Sequence, residues 1–239
     1  MIIKKRLRDK YVVAREKPKK RLKVLKMVAG KFYYPKDNPK KPMGEDAFYI
    51  CEKQQTMGVA HGVGGWAKKG IDAGEYAREL MTEAMNAVQL RSKGFVDPRK
   101  VLNDAFLNTK AKGSSTASSI VTLKEGVLHG VNLGNNEISD SSDSAYEYEI
   151  SVKAEDILVL GSDGLFDNLY ADDIEEVLRW TNGVFEVNDL AQHIADIALS
   201  FSKSKDFRTP FQDASEREGH SHMGGKKDDI TVLVAQITV

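Results

Sequence analysis

The chain has 239 residues, of which 41% are apolar and 29% charged, with six prolines and one cysteine. These proportions exclude the disordered, collagenous and membrane-spanning classes and favour one compact domain. Cys51 has no second cysteine with which to close an internal disulfide, so a disulfide-stapled scaffold is excluded and a reducing compartment, cytoplasmic and/or nuclear, is expected.

The formal charge of zero hides a division. Residues 1–41 hold 16 Lys/Arg against 3 Asp/Glu, and residues 42–239 hold 19 against 32. The expected organisation is a basic N-terminal segment over residues 1–21 and a folded domain over residues 22–239. The start MIIKKRLRDK lacks the apolar stretch of a secretory signal, the segment is Lys-rich and Ser-free unlike a transit peptide, and no 18-residue apolar run occurs, so neither membrane nor organelle import is expected. Within Lys17-Pro-Lys-Lys-Arg-Leu-Lys23 the charges suit a nuclear import receptor, a phosphate backbone or plain solvation. No aromatic residues interleave with them, so nucleic-acid recognition is not expected. A monomer is expected.

Taken in chain order, Ala47 to Cys51 and Met57 to Ala60 read as strands. Asp72 opens a helix, with Glu75 three residues on and an apolar stripe of Ala73, Tyr76, Ala77, Leu80, Met81, Ala84, Met85 and Val88. Asp97-Pro98 opens a second helix, in which Val101, Leu102, Ala105 and Phe106 face inward. Strands follow at Ser119 to Leu123 and Val127 to Leu133. The short Lys124-Glu125-Gly126 connection makes these two an antiparallel hairpin. Ser139 to Ser144 is a polar loop. Tyr146 to Val152 and Ile157 to Gly161 are further strands, a helix follows Asp172, another follows Asn188, and Ile230 to Val239 closes the chain as a strand.

Acidic residues gather at the ends of these strands: Glu45-Asp46 entering one, Asp163 leaving another, and Asp228-Asp229 before the last. Carboxylates so placed converge only at one edge of a sheet. Hard divalent cations take oxygen ligands, and Mg²⁺ retains several waters, so a few carboxylates from separate strands suffice for a site. A strand also ends in the Gly-rich run Gly58-Val-Ala-His-Gly-Val-Gly-Gly-Trp66. Glycines there let the backbone approach an ion or phosphate, although the G-x-G-x-x-G dinucleotide spacing is absent.

The ordered set Gly44-Glu45-Asp46, Gly58 to Trp66, Gly113-Ser-Ser-Thr-Ala117, Asn132-Leu-Gly134, Ser162-Asp-Gly-Leu-Phe-Asp167 and Asp228-Asp-Ile-Thr231 resembles the metal-dependent protein phosphatases, the PPM or type 2C family, over residues 22–239. The similarity is greatest to the branch whose second motif reads DGVGGW. This resemblance implies an α+β fold, a four-layer αββα sandwich of two mainly antiparallel sheets flanked by helices, with two Mg²⁺ or Mn²⁺ ions at one end. It also implies a phosphoprotein substrate, its phosphoserine or phosphothreonine attacked by a metal-activated water without a covalent phosphoenzyme. By position, Asp163 and Asp228 match metal-ligating aspartates and Gly62 supplies a backbone carbonyl. Glu45 and Asp46 hold metal-bound waters, and Asp229 is a neighbour of the ligand.

Two departures stand out. His61 takes the place of the family's bridging aspartate. A neutral imidazole offers one lone pair where a carboxylate offers two oxygens. His61 can ligate one Mn²⁺ or Zn²⁺ or, when protonated and without the metal, pair with Asp163 or Asp228; a weakened or lost binuclear centre, a single-metal site and residual catalysis all stay open. Secondly, Asn135-Asn136 follows Asn132-Leu-Gly where the family has Asp-Ser, and only eleven residues separate Gly134 from Tyr146. That is too few for the hairpin and flap the family carries there, so one sheet is expected to be shortened. The sequence thus points to a protein serine/threonine phosphatase of reduced activity, with a catalytically inactive module that binds a phosphoprotein or regulator as the alternative. Ser114, Ser115 and Thr116 read as packed strand residues, His220 and His222 as solvated residues in a Gly/Ser/Glu-rich loop. His129 and His193 belong to a strand and a helix and receive no chemistry.

Overall fold

The computed structural model describes residues 3–6, 24–91, 95–133, 145–181 and 185–239. The strands are β1 (Ile3–Arg6), β2 (Lys26–Tyr34), β3 (Asp46–Cys51), β4 (Thr56–Gly62), β5 (Ser115–Lys124), β6 (Val127–Leu133), β7 (Tyr146–Ser151), β8 (Asp156–Gly161) and β9 (Ile230–Thr238). The helices are α1 (Ala73–Leu90), α2 (Pro98–Asn108), α3 (Asp163–Phe166), α4 (Ala171–Thr181), α5 (Val187–Lys203) and α6 (Pro210–Arg217). One sheet has the order β1-β8-β9-β2 and the other β3-β4-β5-β6-β7, and every pairing is antiparallel.

The near-continuous apolar runs of β8 and β9 follow from burial on both faces. Alternate side chains of a strand point to opposite sides. Ile157 and Val159 of β8, with Val232 and Val234 of β9, pack under α4 and α5 beside Ile174, Leu178 and Ile194. Their neighbours Leu158, Leu160, Leu233 and Ala235 face the opposite way, onto Met57, Val59, Val121 and Leu123 of the second sheet. That sheet's outer face is covered by α1 and α2 through Leu80, Met81, Val101 and Leu102. The result is the four-layer αββα arrangement. Each fully buried Leu or Ile in these three layers stabilises the fold by roughly 2 kcal/mol relative to exposure.

Local signals account for much of this. Asp72 caps α1 by accepting from the Gly74 N–H at 3.0 Å, and Asp97 caps α2 by accepting from Arg99 and Lys100 with Pro98 in the first turn. Lys124 pairs with Val127, and the two residues between them, Glu125 and Gly126, have φ of 51° and 81°, the left-handed pair that a two-residue type I′ hairpin requires.

Elsewhere the tertiary structure departs from the local pattern. β2 is an edge strand whose alternation is broken by Gly30 and Lys31, which hides it from a periodicity reading. Its nine residues are nevertheless all paired with β9. Asn188 lies inside the first turn of α5 rather than at its cap, and its side chain accepts from the Lys31 N–H of β2 at 2.9 Å. Residues 210–217, which carry no periodic signal picked out above, form α6: Thr209 caps it through the Gln212 N–H, and Pro210 suits the first turn. Ile3–Arg6, within the basic N-terminal stretch, pair with β8. The cationic cluster at Lys17 to Lys23, Asn135-Asn136 and the Ser139 to Ser144 loop lie outside the described residues. Among the described residues no helix is long and apolar enough to cross a membrane.

Candidate metal centre

Strand parity delivers the acidic residues to one end of the layer between the sheets. Asp46 begins β3 directly opposite His61 near the end of β4. On the facing sheet β8 runs out into Ser162-Asp163, and Asp228-Asp229 lead into β9. His61 follows Met57 and Val59 on the inter-sheet face, and Thr231 precedes Leu233 and Ala235 on the same layer of the other sheet. The four strand ends therefore meet at one mouth.

Two of these acids are committed to protein donors. Asp229 is fully buried; its Oδ1 accepts from the Tyr33 hydroxyl at 2.8 Å and the Lys36 N–H at 2.9 Å, and its Oδ2 accepts from the Glu45 N–H at 3.1 Å. Gly44 has φ of 65°, and a Cβ there would run into both Asp229 and the Tyr33 hydroxyl. Asp46, 3% exposed, bonds through Oδ1 to His61 Nδ1 at 2.6 Å and accepts at Oδ2 from the Thr231 hydroxyl at 2.6 Å, so it joins the two sheets. Asp46, His61 and Asp229 place ligand-type atoms within 4.8 Å of one another, but the carboxylates of that trio are already engaged.

Burial pushes the Asp46 carboxyl up to about 6, against the lowering effect of His61, Ser162 and Thr231. Burial opposes charge on the His61 ring, yet the Asp46 hydrogen bond and the fields of Asp163, Asp46 and Asp228 outweigh it and push the imidazole up to about 9. The balance favours the imidazolium over the neutral ring. Of the partners expected for His61, Asp163 lies at 3.6 Å and Asp228 acts through its field; the principal partner is Asp46, because β3–β4 register sets the two face to face.

The remaining acids surround a lysine that the sequence did not single out. Lys226 Nζ lies 3.2 Å from Asp163 Oδ2, 2.8 Å from Asp167 Oδ2 and 2.9 Å from Asp228 Oδ2. Burial works against that ammonium, but Asp163, Asp167 and Asp228 hold its pKa above the usual lysine range. Asp228, which burial alone would raise, is held below the ordinary carboxylate value by Lys226, Lys36 and His61. Burial raises Asp167, with Lys226 opposing. Lys36 Nζ stands 3.5 Å from Asp228, and Lys41 pairs with Glu45. The signal for Lys226 was its place two residues before Asp228; nothing local distinguishes it from Lys227.

Gly62 ends β4 at a register shift against β5, and a Cβ there would run into the Ala73 carbonyl at the start of α1. Ser114 and Ser115 are structural: Ser114 accepts from the Trp66 indole at 2.9 Å and Ser115 donates to the His61 carbonyl at 2.7 Å. His222 bonds to the Gly225 carbonyl at 3.1 Å and packs edge-on against Phe211, half-buried rather than solvated. An open groove of about 750 Å³ lies beside the site, between α1 and the edge strand β3, with Met43, Phe48, Met81 and Met85 among its walls.

The donor set fits one hard divalent cation. Asp163 and Asp228 offer carboxylate oxygens, and the ammonium within 3.2 Å of both shows that a cation is accommodated between them. It does not fit a two-metal arrangement bridged at residue 61, because the imidazole supplies no second oxygen and its Nδ1 is bonded to Asp46.

No family model matches the chain. Among curated proteins, the Arabidopsis thaliana probable protein phosphatase 2C 55 is 37% identical over 246 residues, covering 90% of this chain and 52% of that protein. The Drosophila mojavensis protein phosphatase PTC7 homolog fig is 32% identical over 247 residues, covering 82% of this chain and 78% of the relative. The chain belongs to the type 2C protein phosphatase family. It spans 52% and 60% of the length of the two Arabidopsis phosphatases it matches at 37% identity. Among solved structures, that of the photosystem II phosphatase PBCP is similar with a TM-score of 0.78 at 25% identity, covering 88% of this chain and 98% of that one. The catalytic domain of the serine/threonine phosphatase PstP in complex with two manganese ions shares the fold, with a TM-score of 0.58 at 18% identity over 90% of this chain and 99% of that one. The αββα architecture of this type 2C phosphatase chain is thus the one its motifs imply.

Proposed function

We propose that this protein is a metal-dependent protein serine/threonine phosphatase of reduced activity, acting on phosphoproteins with one Mg²⁺ or Mn²⁺ held by Asp163, Asp228 and the Gly62 carbonyl. The observation that carries this reading is the convergence of Asp163 and Asp228 on one point at the end of the sandwich, with His61 in the place of a bridging aspartate. The bound ion would supply a water of lowered pKa and neutralise phosphoryl oxygens.

The chain's own residues supply the rest. Lys36 and Lys41 bring ammonium groups to the mouth of the site, where a phosphate enters. Asp46 has one hydrogen bond on each oxygen, to His61 and Thr231, and its remaining lone pairs are left to orient a water. Replacing an aspartate by an imidazolium changes the local charge by two units, as much as one divalent cation contributes. That change favours a site that holds one metal fewer.

A second reading is a non-hydrolysing module that binds a phosphoprotein or regulator; it is favoured by His61 and Lys226 neutralising the acidic cluster without any metal. Hydrolysis of a phosphothreonine peptide with Mg²⁺ or Mn²⁺, compared between the unaltered protein and its His61→Asp variant, decides between them. Weak turnover by the unaltered protein, raised at least about tenfold by His61→Asp and abolished by Asp163→Ala, is the expected result. No turnover by either protein supports the binding module.

A further inference from the structure

We propose that Lys226 is a built-in counter-ion that competes with divalent metal for Asp163 and Asp228, so that metal binding requires its ammonium to swing out of the site. This inference rests on the metal reading of those aspartates given above.

Three observations carry it. First, Nζ lies within 3.2 Å of three carboxylates, those of Asp163, Asp167 and Asp228. A divalent ion on Asp163 and Asp228 would share those oxygens with a positive charge at contact distance, and like charges so close in a half-buried site exclude one another.

Secondly, the lysine is presented by a constructed backbone. Asn168 is fully buried; its Oδ1 accepts from the Lys226 N–H at 2.9 Å and its Nδ2 donates to the Lys226 carbonyl at 2.9 Å and to the Gly164 carbonyl at 2.7 Å. One side chain thereby holds Lys226 against the turn that carries Asp163. Lys227, next in sequence, is exposed.

Thirdly, the side chain has somewhere to go. It is 29% exposed and passes over the face of Phe211 in α6, Nζ lying 5.5 Å from the ring centroid. Phe211 itself is tied by its N–H to the Asp167 carbonyl at 2.9 Å. A lysine has four rotatable bonds on its stem, so the head can leave while the Asn168 clamp stays.

The test is Mn²⁺ affinity, measured by calorimetry on the full chain, for the unaltered protein, Lys226→Met and Lys227→Met. Lys227→Met removes the same charge without touching the carboxylates. Lys226→Met is expected to bind Mn²⁺ at least about tenfold more tightly than the unaltered protein, and Lys227→Met within about twofold. Equal binding by the two variants overturns the competition and leaves the metal reading standing. No Mn²⁺ bound by any of the three, Lys226→Met included, overturns both. Should Lys226→Met fail to fold, amine labelling of the unaltered protein, read by mass spectrometry, gives the same answer. Modification of Lys226 is expected to rise severalfold at saturating Mn²⁺, and unchanged modification with Mn²⁺ bound overturns the proposal.

Discussion

The two acidic sets at the mouth of the sandwich, Asp46 with Asp229 and Asp163 with Asp228, lie at the same strand ends yet are held in opposite ways. Asp46 and Asp229 accept from backbone N–H groups, hydroxyls and an imidazole positioned by β2, β3, β4 and β9. Asp163 and Asp228 are bridged by one long ammonium side chain. The first set cannot turn toward a metal without leaving buried donors unpaired. The second can do so through its Oδ2 atoms, which face the lysine head, while Asp163 Oδ1 keeps the Gly164 N–H at 3.0 Å and Asp228 Oδ1 the Asp229 N–H at 3.1 Å. A cluster of carboxylates is therefore a scaffold or a receptor according to what already occupies its lone pairs, and here one half of the mouth is each.

The sharpest way to break that contrast is at Asp229. Asp229→Ala leaves the Lys36 and Glu45 N–H groups without an acceptor and the Tyr33 hydroxyl with the Met43 carbonyl at 2.9 Å, and urea denaturation should show a loss of about 3–5 kcal/mol. A loss below about 1 kcal/mol would show that Asp229 is no more structural than its neighbour. Asn168→Ala, which removes two hydrogen bonds to the Lys226 backbone and one buried bond to the Gly164 carbonyl, should cost about 2–3 kcal/mol by the same measurement. Thr231→Val removes the hydroxyl that Asp46 accepts from across the sheets, and a loss of about 1–2 kcal/mol is expected.

Asp163→Asn sits at the other extreme. Its side chain is 31% exposed, so in metal-free buffer the stability change should stay below about 1 kcal/mol, while calorimetric Mn²⁺ binding is lost. A large loss of metal-free stability would place Asp163 with the scaffold. At the far end of the scale, Arg208→Ala, just before α6, where exposed Arg208 pairs with Asp213 and Glu216 of that helix, should leave the thermal midpoint unchanged.

Much of the molecule was legible along the chain. The caps at Asp72 and Asp97, the Glu125-Gly126 turn and the two-sided apolar runs of β8 and β9 are local or periodic signals, set by hydrogen bonding within a turn and by which face of a strand is buried. The order of the acidic motifs was equally readable, and with it the family. β2 was not, since an edge strand interrupted by a glycine and a lysine carries little alternation, and α6 was masked by its polar composition. The tertiary structure alone decided that His61 pairs first with Asp46, that Asp229 is a three-donor scaffold, and that Lys226 rather than Lys227 enters the acidic cluster. Apart from the Lys226–Asp228 pair, these contacts join residues from 15 to 196 positions apart, and sequence periodicity names the face a side chain leaves by but not the atom it meets there. That partner is set by strand register and by the packing of one sheet on the other, both of which exist only once the chain has folded.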